Sequence, residues 1–138
     1  MFLSKKNTGQ AALPAVLLIG GVIIEIAIAG VLVAFILSSS GWGERLSAQA
    51  LAAAKAGQQD AFIKITVNKD FSSAGYSFNV DSRTVEVAVI KDPEGYPVGT
   101  AKVTSIGKAL SRQRKLEAIL IVRRDTGKVD LKSIREIE

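Results

Sequence analysis

The sequence predicts an α+β protein in which a long N-terminal helix, first transmembrane and then amphipathic, packs on a C-terminal antiparallel β-sheet of four or five strands. Three observations lead there. Residues 11–37 hold no formal charge except Glu25, in a chain that is 22% charged on average. Small and apolar residues then recur every three or four positions from Leu46 to Ile65, the spacing of one helix face. After Gly75 the pattern changes to alternation, the period of a half-buried strand.

The first element is a basic leader over residues 1–9, MFLSKKNTG, with Lys5 and Lys6. The apolar helix predicted over residues 10–38 exceeds the roughly 20 residues needed to cross a hydrocarbon core. Lysines flank its N-terminal side, whereas Ser38, Ser39, Ser40 and Glu44 follow it. The positive-inside rule therefore predicts a single pass with a cytoplasmic N-terminus and an extracytoplasmic domain from residue 39 onward. Trp42 lies just past the tract, where an indole suits the membrane–water interface, so membrane lipid is the first expected partner. Ala27, Ile28 and Ala29 also make the A-x-A pattern of a signal-peptidase site. Against that reading, Val31 to Leu37 is still apolar, and such a site normally ends the apolar stretch.

Residues 39–75 are predicted as an amphipathic helix and its connection. Leu46, Ala50, Ala53, Gly57, Ala61 and Ile65 form the stripe, and Phe62 is expected in the same core. No proline interrupts residues 15–92, and only Gly41 and Gly43 weaken the path. The membrane helix is thus expected to continue, bent at those glycines, until Asn68 to Gly75 ends it.

Residues 76–138 form the sheet region. Tyr76, Phe78 and Val80 alternate with polar residues, Asp81 to Arg83 turns the chain, and Val85, Val87 and Val89 complete a hairpin. Asp92 to Gly95 punctuates again. Further strands are predicted at Thr100–Ile106, Leu116–Val122 and Val129–Leu131, the last after a turn at Asp125 to Gly127. A meander is the economical connection, with one sheet face on the helix stripe, since neither can bury its apolar side alone.

Composition narrows the chemistry. The chain has no Cys and no His, which removes disulfides, thiolate nucleophiles, the usual zinc sites and imidazole catalysis. No serine sits in a G-x-S-x-G elbow, and Ser105 with Lys108 or Ser111 with Lys115 are Ser–Lys pairs that nothing singles out. Gly41-Trp42-Gly43 lacks the strand and the Lys-Ser or Lys-Thr ending of a phosphate loop. Asp92 and Glu94 offer too few oxygens for Ca²⁺. No catalytic residue, metal or cofactor is expected.

A basic leader ending in Gly9, an apolar helix directly after it, a long amphipathic continuation and a C-terminal antiparallel sheet together resemble the type IV pilin-like and pseudopilin family. Gly9, Gln10, Ala11, Ala12 and Leu13 are most similar to the opening of PilX-type minor pilins. The run Val103 to Gly107, continuing through Arg112, Arg114, Lys115, Leu116, Glu117, Ala118 and Ile119, resembles their strand, loop and strand with a basic centre. The resemblance implies cleavage after Gly9 by a prepilin peptidase, methylation of Gln10, and assembly with other pilin or pseudopilin subunits. The chain departs from the major-pilin pattern in placing Pro14, not Glu, fifth after the cleavage site. A register cut after Gly20 puts Glu25 fifth but leaves too short an apolar helix to span. The contrasting expectation is a membrane-tethered extracytoplasmic binding module that never enters a filament and retains its leader.

Within the apolar tract, a charged Glu25 facing lipid costs about 2.5–3.5 kcal/mol on insertion scales. Two readings stand: a polar contact to a neighbouring subunit, or a protonated carboxyl bonded within its own helix. Gly21 and Ala29 share its face at four-residue spacing, and Gly30 with Ala34 forms a second small-residue pair for close helix approach. Arg112, Arg114, Lys115, Arg123, Arg124 and Lys128 read as one basic group near the end of the sheet. They are the only candidates for nucleic-acid contact, which the absence of interleaved aromatic residues argues against.

Overall fold

The computed structural model describes the backbone from residue 8 to residue 138 and side chains from residue 12. One helix, α1 (Thr8–Val67), precedes five strands: β1 (Ser73–Val80), β2 (Arg83–Lys91), β3 (Thr100–Ala109), β4 (Arg112–Val122) and β5 (Val129–Ile137). The strands pair antiparallel in the order β1-β2-β3-β4-β5, so the predicted meander is the observed topology. Helical structure passes through Gly41 and Gly43 without interruption. Contacts nevertheless divide the chain into two compact units, one ending at Gly41 and one running from Trp42 to Glu138.

In the first unit the helix is apolar on every side. Every large apolar side chain from Leu13 to Leu37 is between 47 and 71% exposed. The hydroxyls of Ser39 and Ser40 donate to the Ile36 carbonyl at 2.9 and 3.0 Å. These serines therefore satisfy themselves against the helix and do not break it.

The second unit is a helix laid on one sheet face. Alternation places Val85, Val87 and Val89 of β2, Ala101, Val103 and Ser105 of β3, and Leu116, Ala118 and Leu120 of β4 on the buried side. Ala50, Ala53, Ala54, Ala61 and Ile65 of α1 are essentially inaccessible. Small helix residues let the backbones of helix and sheet approach closely, and two glycines set the limit. A Cβ on Gly107 would collide with the Ala50 carbonyl oxygen and the Ala54 nitrogen, and one on Gly57 with the Ser105 hydroxyl and Val85. Two polar side chains fasten the layers. Ser105 Oγ donates to the Ala54 carbonyl at 2.8 Å, and Gln58 Nε2 donates to the Val103 and Leu116 carbonyls at 3.2 and 3.1 Å.

Phe62 departs from expectation. It is 37% exposed and lies beside the buried stripe, because Ala61 and Ile65 occupy the face that points at the sheet. Strand limits differ too. β5 extends six residues past the predicted Leu131, where apolar alternation fades on an edge strand. An irregularity between Ile119 and Leu120 of β4 also shifts the β5 register there, breaking the period that sequence reading relies on. β1 begins at Ser73, with a register shift between Ser73 and Tyr76.

Asn68 ends the helix, its Oδ1 accepting from the Asp70 amide at 3.0 Å. Behind it Tyr76 donates to Asp60 Oδ2 at 2.7 Å, and Lys64 pairs with Asp60 at 2.9 Å. The Lys64 ammonium also lies 3.7 Å from the centre of the Tyr76 ring. Burial would raise the Asp60 pKa, but the Tyr76 hydroxyl and Lys64 outweigh it and hold the carboxyl below its ordinary range. Burial first, and the Asp60 carboxylate second, push the Tyr76 hydroxyl upward.

Candidate functional site

The candidate site of the first unit is the helix surface itself. Gly21, Glu25 and Ala29 share one face, and with Gly30 and Ala34 all are exposed. A Cβ on Gly20, Gly21 or Gly30 would meet nothing within 4 Å. Among the described residues of this unit nothing covers the apolar side chains, a surface far larger than water-soluble monomers expose. The helix is long and apolar enough to cross a membrane. Gly9 and Gln10 fall within helical backbone, their side chains outside the described set. Lys5 and Lys6 lie outside the described residues altogether.

In the second unit the structure separates what the sequence read as one basic group. Arg112, Arg114 and Lys115 open β4, whereas Arg123, Arg124 and Lys128 follow its far end. At strand rise the nine steps from Arg114 to Arg123 span about 30 Å. The far cluster is already engaged. Arg124 and Lys91 each meet Asp70 at 2.5 Å, while Arg123 and Lys128 flank Asp130 at 3.5 and 3.0 Å. Hydrogen bonding from Lys91, helped by the charge of Arg124, lowers the Asp70 pKa. Arg114 pairs with Glu136 at 2.5 Å. Among the described residues Arg112 and Lys115 form no ion pair.

The Ser105–Lys108 pair assembles no nucleophile. Ser105 is buried with its hydroxyl committed to the Ala54 carbonyl, and Lys108 points to the opposite face, 2.5 Å from Glu86. Asp92 accepts the Gly99 amide at 2.6 Å, so its carboxylate closes the loop between β2 and β3.

Glu117 had no role of its own in the sequence reading, where it figures only in the strand resemblance. On the sheet face away from the helix it is only 4% exposed. Lys102 reaches its Oε2 at 3.0 Å and Arg135 donates from Nε at 2.9 Å and from Nη2 at 2.5 Å to Oε1. The Lys102 hydrogen bond lowers its pKa, burial opposes, and Arg135 lowers it further. Its sequence signal was faint, a lone acid inside the apolar run of β4. Gly107 was missed as well: the predicted strand stops at Ile106, one residue short of a glycine that lies inside β3, where a strand glycine often marks close backbone approach.

An opening runs beside β5. Phe62, Ile63, Leu131 and Ile134 border an apolar groove of about 440 Å³ floored by Ala118 and Leu120. Leu131 and Ile134 are each 52% exposed, since the small-residue stripe centres α1 on the inner strands. No family model matches the chain, and no curated protein or solved structure matches it.

Proposed function

We propose that the protein is a non-enzymatic, single-pass membrane subunit, of minor type, of a type IV pilus or a type II secretion-like pseudopilus. The observation that carries this reading is one helix with two environments. From Leu13 to Leu37 it is exposed and apolar all round, as lipid or neighbouring apolar helices require. From Ala50 to Ile65 the same helix is the spine of a folded domain. Such a chain passes from a membrane into a filament without changing fold, exchanging lipid for neighbouring helices along its first half. Lys5 and Lys6 hold the N-terminus in the cytoplasm, where a prepilin peptidase cleaves after Gly9 and Gln10 becomes the methylated end.

Intact mass of the protein from native membranes tests the reading. A species that lacks residues 1–9 and carries one added methyl group is expected. A full-length species in assembled filaments would sink it and favour a permanent tether. Glu25 supplies a second test, because a carboxylate paired with a neighbouring subunit is worth more than an amide. Glu25→Gln is expected to insert normally but to lower the ratio of protein in sheared filaments to protein in membranes, and Glu25→Leu to lower it further. Equal ratios in all three would eliminate the intersubunit contact.

A further inference from the structure

Leu110 occupies a position that folding alone disfavours. Ala109 pairs with Arg112 across the β3–β4 hairpin, leaving Leu110 and Ser111 as a two-residue turn. Such turns favour Gly, Asn or Asp at a left-handed position. The β1–β2 hairpin conforms, with Asp81 at φ 58°, but here a leucine adopts φ 50°. It is also 88% exposed. A branched apolar side chain thus accepts backbone strain in order to project into solvent, where it gains nothing, and an outlier of this kind is a pointer to function.

Its surroundings supply a partner's chemistry. The Arg112 guanidinium lies against the start of the helical segment of this unit, such that a Cβ on Gly43 would stand 3.3 Å from its Nη2. Arg114 Nε donates to Ser47 Oγ at 2.8 Å. These contacts place the hairpin arm beside the end of the unit that begins with Trp42, itself 63% exposed. A hollow of about 670 Å³ there is bordered by Arg112, Arg114, Lys115, Gln113 and the carboxylates of Glu136 and Glu138. The neighbouring Lys108 is already paired with Glu86. Five residues of chain carry Trp42 no more than about 18 Å from Leu37, the end of the apolar tract, however they are disposed.

We infer that this end of the domain docks on anionic phospholipid headgroups of the membrane in which the helix is anchored. Leu110 and Trp42 enter the boundary between headgroups and acyl chains, and Arg112 and Lys115, which form no ion pair among the described residues, take the lipid phosphates. Guanidinium forks match phosphate oxygens, and apolar anchors combined with basic side chains are the general recipe for interfacial binding. A soluble anion or a nucleic acid would use the basic side chains and leave Leu110 unexplained, whereas a lipid surface uses both. The inference rests on the membrane-anchored reading and describes the subunit while it resides in the bilayer.

Trp42 is the single tryptophan, which allows both readings to be tested separately. The full chain is reconstituted in vesicles of phosphatidylcholine, or of phosphatidylcholine with one third phosphatidylglycerol, and quenching by brominated lipid is measured. Wild-type Trp42 should be quenched in both vesicle types, and its failure to respond would overturn membrane anchoring. The Leu110→Trp reporter, carried in a Trp42→Phe background, should be quenched several-fold more strongly in phosphatidylglycerol vesicles. Adding Arg112→Glu, or high salt, should abolish that difference. Quenched Trp42 beside a Leu110→Trp indole that stays water-exposed in both lipids would overturn docking while leaving anchoring intact. Equal quenching in both lipids, unaffected by Arg112→Glu, would overturn the role of anionic headgroups.

Discussion

The two halves of α1 use small residues to opposite ends. In the first half a Cβ on Gly20, Gly21 or Gly30 meets open space, whereas in the second a Cβ on Gly57 strikes Ser105 and Val85 of the sheet. Composition alone does not separate these cases, since both segments are rich in Gly and Ala. The difference is whether a complementary surface exists within the same chain. Where it does, small residues have been converted into close packing. Where it does not, they stay exposed.

The sharpest way to break this comparison is to add one methyl group where the second half meets the sheet and another in the first half. Gly107→Ala, the sheet counterpart of the helix stripe, is expected to cost at least about 3 kcal/mol, because backbone atoms of Ala50 and Ala54 stand in the way and cannot rotate aside. That is a large share of a typical domain's stability of about 5–15 kcal/mol. Gly30→Ala should leave the second unit's unfolding midpoint unchanged. Chemical denaturation of the full chain in detergent, followed by near-UV circular dichroism, reads both. Equal effects would dissolve the distinction between the halves.

Next in size, Ile65→Ala should cost about 2–5 kcal/mol by emptying a fully buried site. Phe62→Asp, three residues earlier, should cost only about 1 kcal/mol and leave unfolding cooperative, since its carboxylate would reach water. The same denaturation curves give both values, and a reversed order would show that the stripe has been rotated wrongly.

Glu117 compares the two faces of the sheet. Its folded pKa lies below the ordinary 4.5, so as pH falls the unfolded chain takes up that proton before the folded one does. The stabilisation is therefore complete above the ordinary value and is lost as pH drops through the lower folded value. Glu117→Gln should remove about 2 kcal/mol at neutral pH by weakening charged hydrogen bonds, and should flatten the acid limb of the stability profile. An unchanged acid limb would show that this ion cluster is ornamental. The smallest expected effect is a gain. Leu110→Asn should raise stability by about 0.5–1 kcal/mol, relieving a leucine held at positive φ. A loss of stability would mean that Leu110 packs within the domain after all.

The sequence by itself determined the class of the protein and the order of its elements. The apolar tract, the Leu46 to Ile65 stripe and the alternation after Gly75 are periodic signals that persist whatever packs against them, because backbone geometry sets the period. They located α1, all five strands and the Ala50, Ala53, Gly57, Ala61, Ile65 face. Tertiary structure decided the rest. Phe62 fell outside the core because the helix is seated by its smallest residues and not by its largest. Six basic residues near the sheet's end became two distant clusters because β4 is extended between them. Glu117 became a buried ion-pair centre because Lys102 and Arg135 reach it from neighbouring strands, and β5 ran on past Leu131 through a register shift. In each case the deciding partner is remote in sequence, and contact between remote residues leaves no local period to read.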